Sequence, residues 1–114
     1  MTRLEKLDCR YNSGINQKGI EGLNLKELIA CGNSKITDVG WMTRLEKLNC
    51  EEDCGIDQKG IEGLNLKELI ACDNNKIINV GWMTRLEKLN CEEDCGIDQH
   101  AIEGLNLKEL NARD

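Results

Sequence analysis

The side chains best equipped for chemistry are thiols and carboxylates gathered in two copies of one pentapeptide, Cys50-Glu51-Glu52-Asp53-Cys54 and Cys91-Glu92-Glu93-Asp94-Cys95. Thiolate and carboxylate are both zinc ligands, so the segments raise a zinc reading. No histidine accompanies them, and the single His100 stands where the preceding copy has Lys59. The acidic runs lack the oxygen-ligand spacing of an EF-hand loop and read as a solvated rim. Nucleophile, base and orienting group are not found together, so the expectation is a non-enzyme with no cofactor and no metal. Gly19, Gly22, Gly60 and Gly63 recur with the chain's periodicity and read as turn residues, not as a phosphate-binding loop.

Composition narrows the class. The 114 residues are 39% hydrophobic and 32% charged, and no apolar run nears the roughly 20 residues needed to span a bilayer. A net charge of −6 leaves no positive field for phosphate or anionic lipid, so nucleic acid and membrane are poor partners. Aromatics are 3%, with no Phe and no Pro, so the core must come from Leu, Ile, Val, Ala, Met and Cys. One domain, residues 1–114, is expected. Met1-Thr2-Arg3-Leu4-Glu5 carries no apolar segment of a secretion signal, and seven cysteines are an odd number, so reduced thiols in an intracellular, cytoplasmic setting are expected.

The elements that must position these groups are repeats. Met-Thr-Arg-Leu-Glu-Lys-Leu occurs at Met1, Met42 and Met83, giving 41-residue modules 1–41, 42–82 and 83–114. The first two modules differ at ten positions, and 42–73 differs from 83–114 at only four: Lys59/His100, Gly60/Ala101, Ile70/Asn111 and Cys72/Arg113. Such identity means recent duplication or deliberate idealisation. Each module halves again, because Leu-x-x-Leu-x-(Cys or Ala) recurs at Leu4, Leu25, Leu45, Leu66, Leu86 and Leu107, in units of alternating 21 and 20 residues.

This spacing resembles the leucine-rich repeat family, whose signature is Leu-x-x-Leu-x-Leu-x-x-Asn, and the resemblance covers the whole chain. Cys9, Ala30, Cys50, Ala71, Cys91 and Ala112 stand at the third Leu. The Asn is kept at Asn12, Asn33 and Asn74 but is Asp53 and Asp94 in the later odd units. Ile36-Thr-Asp-Val-Gly and Ile56-Asp-Gln-Lys-Gly are similar to a piece of the cysteine-containing class of that family. The resemblance implies an α/β solenoid arc with a parallel sheet on the concave face. Its Asn would turn inward and bond adjacent backbone, which Asp cannot do toward a carbonyl, so the odd turns are expected to be held less well. The short returns suit 3₁₀ or extended segments with little α-helix, and Gly14, Gly55 and Gly96 would relax tight corners. Strands would lie roughly 4.8 Å apart, placing Cys50 and Cys91, two strands apart, about 10 Å from each other, too far to share one ion. Buried thiols acting as small hydrophobes are then the simpler reading.

In-register stacking aligns Glu5, Lys26, Glu46, Lys67, Glu87 and Lys108 in one column and Lys6, Glu27, Lys47, Glu68, Lys88 and Glu109 in the next, with opposite charges adjacent throughout. That reads as a register-fixing ladder before it reads as a charged docking surface. Beyond it run Asp8, Ile29, Asn49, Ile70, Asn90 and Asn111, then Arg10, Cys31, Glu51, Cys72, Glu92 and Arg113. A protein-binding face is therefore expected at Ile29, Cys31, Asn49, Glu51, Ile70, Cys72, Asn90 and Glu92, centred on the two Ile and two Cys. Scattered exposed apolar residues without a partner are the bland alternative. Trp41 and Trp82 occupy one equivalent position, as a small docking stripe or as padding between units. The two ends fall inside the repeat and are expected to be uncapped. Leu4, Leu7, Ile15 and Ile20 would line one open face and Leu107 and Leu110 the other, favouring a homodimer or head-to-tail oligomer. The family resemblance implies a non-enzymatic protein-protein interaction or scaffold module, with a self-assembling building block as the alternative.

Overall fold

The computed structural model describes residues 4–11 and 13–112. Asn12 of the first turn and Arg113 of the last column lie outside them. Six strands, β1 (Lys6–Asp8), β2 (Glu27–Ile29), β3 (Lys47–Asn49), β4 (Glu68–Ile70), β5 (Lys88–Asn90) and β6 (Glu109–Asn111), form one parallel sheet in chain order. Each is centred on the second leucine of the repeat, and Leu7, Leu28, Leu48, Leu69, Leu89 and Leu110 pair in register. The expected columns follow from that register: Asp8 pairs with Ile29, Ile29 with Asn49, Asn49 with Ile70. Backbone pairing runs past the strand ends, from Lys26 N–H to Glu5 O at 2.8 Å and from Tyr11 N–H to Cys31 O at 2.8 Å.

Parallel neighbours require a return connection, and here the returns alternate. Odd units return through one turn of α-helix: α1 (Gln17–Ile20), α2 (Gln58–Ile61) and α3 (Gln99–Ile102). Each starts at an Asn or Asp whose side chain accepts from the backbone three residues on: Asn16 from Gly19, Asp57 from Gly60, Asp98 from Ala101. Even units place the acceptor differently. Asp38 and Asn79 bond the N–H of Gly40 and Gly81, two residues on, at 2.9 Å each, and this local turn competes with a helix. The returns are thus single α-turns alternating with irregular turns, so α-helix is as scarce as expected, while the odd returns take one α-turn in place of the expected 3₁₀ or extended segment.

The apolar interior is one cluster that runs the length of the sheet. Leu25, Leu28, Leu45, Leu48, Leu66 and Leu69 meet Ile36, Val39, Met42, Ile56, Ile61 and Leu64 from the returns. Truncating one such leucine to Ala should cost about 2–5 kcal/mol. Ile20 belongs to this interior and is fully buried, which corrects its assignment to an open end. Leu7, Ile15 and Leu107 are half-buried, whereas Leu4 is 49% and Leu110 44% exposed.

The turns after the strands hold a second correction. Asn33 and Asn74 are buried, and each Nδ2 donates to two carbonyls of the preceding unit, Cys9 and Ile15 for Asn33, Cys50 and Ile56 for Asn74. Asp53 and Asp94 do not take that inward place. Both are exposed, and the next residue turns inward instead, Cys54 buried and Cys95 half-buried. A buried carboxylate could not donate to those carbonyls and would lose its hydration, whereas a thiol is cheap to bury. Close approach, not backbone angle, explains Gly55: a Cβ there would sit 2.5 Å from the Ser34 carbonyl oxygen of the unit before it.

Candidate functional site

The strand face is built by alternation. Side chains flanking the central leucine of each strand point away from the core, so Glu27 and Ile29 share a surface with Lys47 and Asn49, then with Glu68 and Ile70. The charged columns pair, but only within modules. Glu5–Lys26 (3.7 Å), Glu46–Lys67 (3.9 Å) and Glu87–Lys108 (3.7 Å) form one series. Lys6–Glu27 (3.4 Å), Lys47–Glu68 (3.8 Å) and Lys88–Glu109 (3.8 Å) form the other. Among the described residues no ion pair in these columns crosses a module boundary, although Arg44 of the second module reaches Glu5 at 3.7 Å. The expected continuous ladder is therefore a set of separate rungs. Each exposed pair contributes roughly 0.2–1 kcal/mol.

Two shallow grooves lie between the rungs and the Ile/Asn column. One brings Ile29, Asn49 and Ile70 together with Glu27, Lys47 and Glu68 around a volume of about 110 Å³. The other joins Ile70, Asn90 and Asn111 to Glu68, Lys88 and Glu109 around about 150 Å³. Ile29 and Ile70 are half-buried, so each presents an apolar edge between polar neighbours. Cys31 and Cys72 do not join them at the surface. They are 7% and 9% exposed, which corrects the expectation of an open thiol pair beside the two isoleucines. The Cys72 thiol donates to Asn90 Oδ1 at 2.9 Å, and the Cys31 thiol donates to the Tyr11 hydroxyl at 3.6 Å. Glu51 and Glu92 are half-buried and line neither groove.

Tyr11 was not singled out by spacing. Its ring lies over Gly32, where a Cβ would meet it at 2.6 Å. The equivalent pair in the second module is Glu52 and Asp73, so two of the ten differences between modules are spatially linked. Asp8 and Arg10 form a second local device: Arg10 hydrogen bonds to both Asp8 oxygens hold that carboxyl below its ordinary range. Asn49 and Glu51 replace the pair in the second module.

The thiols are placed for packing. Burial pushes Cys54 up to about 11 and Cys95 up to about 12, and holds Cys50 well above an ordinary thiol. Thiolate is the form that attacks or ligates, so these environments oppose both roles. Among the described residues no group of three or more His, Cys, Asp or Glu side chains is arranged to hold a metal ion. No helix among them is long and apolar enough to cross a membrane.

On the return side, Trp41 and Trp82 are each 37% exposed and donate their indole N–H to the Leu23 and Leu64 carbonyls at 2.8 and 2.7 Å. They pad neighbouring units and also wall two grooves. Gln17 and Gln58, likewise missed by spacing, brace these grooves by bonding the backbone of the next unit through both ends of the amide. A glutamine 21 residues before a carbonyl it binds leaves no pattern in sequence beyond its recurrence with the period. No protein-family model matches the chain, and no curated protein sequence matches it.

Proposed function

We propose that this chain is a non-enzymatic protein-protein interaction or scaffold module of the leucine-rich-repeat type, a solenoid whose strand face is the docking surface. One observation carries the reading. The in-register face holds Ile29, between Asp8 and Asn49, and Ile70, between Asn49 and Asn90, as half-buried apolar edges bordered by ion pairs that already satisfy their own charges. A rim of internally matched charge with an apolar centre favours a protein surface over a small ion or a polyanion. Cys72 is tied to this face by its thiol bond to Asn90, and Cys31, Glu51 and Glu92 line neither of its grooves. The test is the double variant Ile29→Lys with Ile70→Lys. Loss of specifically retained proteins relative to the parent chain supports the face, and an unchanged set removes it.

A second reading, a self-assembling building block without a dedicated ligand, is favoured by the outer strands. Among the described residues, β1 and β6 are paired on one side only, with Leu4 and Leu110 exposed beside them. Further copies adding to these edges would extend the sheet. Light scattering across a concentration series decides it: mass rising with concentration supports this reading, and a constant monomer mass ends it.

A further inference from the structure

We propose that the two tryptophan grooves on the return side bind the cationic side chains of a basic, extended peptide, one ammonium or guanidinium group in each groove. This surface is separate from the strand face and goes beyond the function proposed for it.

The first groove is formed by Gln17, Glu21, Thr37, Asp38 and Trp41, and the second by Gln58, Glu62, Ile78, Asn79 and Trp82. The floors are braced by side-chain hydrogen bonds. Gln17 donates to the Asp38 carbonyl at 2.7 Å and accepts from the Thr37 and Asp38 N–H groups at 2.9 and 3.1 Å. Gln58 repeats this with Ile78 and Asn79 at 2.8–2.9 Å. Each indole N–H is already spent on a backbone carbonyl, so what the ring offers a ligand is its π surface. Glu21 and Glu62 end α1 and α2 beside these rings, and among the described residues neither forms an ion pair. Asp38 spends one oxygen on Gly40 N–H, and among the described residues the other accepts no hydrogen bond. Lys18 and Lys59 lie on the same helices but do not line the grooves. An aromatic face beside unmatched carboxylates, on a braced floor, favours a cation over an anion or a neutral apolar group.

The modules differ at ten positions, and two of these fall in the grooves: Thr37/Ile78 and Asp38/Asn79. The first groove therefore has two carboxylates. The second has one, beside Ile78, which is 56% exposed and offers an apolar shelf for a side-chain stem. The grooves are two strands apart, about 10 Å at sheet spacing, a span that three residues of extended chain cover at about 3.3 Å each. Basic residues in the pattern Lys-x-x-Lys fit that span.

Both tryptophans of the chain wall these grooves, so indole emission and the two indole N–H resonances report on them directly. The probe is acetyl-Lys-Gly-Gly-Lys-amide at millimolar concentration, with its Nε-acetylated form as the neutral counterpart. The expected result is a saturable change with the lysine peptide and none with the acetylated one. Trp41→Phe and Trp82→Phe should each remove one component. Glu21→Gln with Asp38→Asn should weaken the first site by about threefold or more. Asp38→Asn is structurally conservative, because the second module already carries Asn79 at this place. Glu52→Gln with Glu93→Gln, remote carboxylates of the strand-end turns, should change it by less than about twofold at physiological salt. Equal weakening by both carboxylate pairs would mean diffuse attraction to a chain of charge −6 and overturns the proposal. So does an equal response to the acetylated peptide, or an emission shift with phosphatidylcholine vesicles but not with peptide. Ile29→Lys with Ile70→Lys should leave the titration unchanged, so this site and the strand face fail or stand separately.

Discussion

Asn74 donates its side-chain amide to the Cys50 carbonyl at 2.8 Å, tying the turn of one unit to the strand of the unit before it. The same amide reaches Ile56 O at 3.1 Å and its oxygen accepts from Lys76 N–H at 3.0 Å, so one buried side chain satisfies three backbone groups. Asn74→Ala should therefore cost about 1–3 kcal/mol by leaving those groups unpaired. Asp53→Ala, at the position that spacing alone treats as equivalent, should stay within about 0.5 kcal/mol because Asp53 faces solvent. Urea midpoints of the two variants check this, and equal losses would contradict the assignment of the inward place to Cys54.

Gly60 and Ala101 mark a difference between successive junctions. Val39 N–H donates to the Gly60 carbonyl at 3.0 Å, and Val80 makes no such bond to Ala101. A Cβ at Gly60 would overlap the Thr37 carbonyl oxygen. Gly60→Ala should destabilise by about 1–3 kcal/mol through forced separation of two units. Ala101→Gly should raise hydrogen-exchange protection of the Val80 amide toward that of Val39. Its effect on melting should be small, since one gained bond of about 0.5–1.5 kcal/mol is offset by the backbone entropy of glycine.

The buried thiols make stability fall on the alkaline side. Their folded pKa values are raised, to about 11 for Cys54 and about 12 for Cys95, so above the ordinary thiol value of 9.0 the folded chain holds protons that the unfolded chain has released. The contribution is complete below pH 9.0 and is lost as pH climbs toward 11 and 12. Thermal melts should fall across that window, and the Cys54→Ala, Cys95→Ala double variant should show a shallower fall. A slope identical to the parent's would assign the alkaline loss to other groups. Alkylation of the native chain should reach half-buried Cys95 before buried Cys50 and Cys54.

The rungs of the strand face can be weighed by a double-mutant cycle at Lys47 and Glu68, 3.8 Å apart. Lys47→Glu should cost up to about 1 kcal/mol, and adding Glu68→Lys should restore most of it. The coupling should shrink in high salt.

The strand register was legible because Leu-x-x-Leu recurs in phase: pairing Leu28 with Leu48 automatically sets Glu27 opposite Lys47 and Ile29 opposite Asn49. Four things were not. Spacing equated Asp53 with Asn33, but which residue turns inward depends on whether its side chain can donate to buried carbonyls, and Asp cannot. Periodicity also placed Cys31 and Cys72 on the outer surface, yet covering neighbours, Tyr11 over Gly32 among them, decide exposure after alternation has decided direction. Position along the chain puts Ile20 at an open end, whereas it is fully buried within the apolar cluster. The Trp41 and Trp82 grooves leave no trace in spacing, because their braces Gln17 and Gln58 act across units.

The most direct test of the interaction-module reading is a paired capture experiment, with the parent chain and the folded Ile29→Lys, Ile70→Lys variant exposed to the same protein mixture and quantified by mass spectrometry. Proteins specifically enriched on the parent and depleted on the variant are the predicted outcome. Identical enrichment on both chains, or no enrichment on either, would contradict a docking role for the strand face.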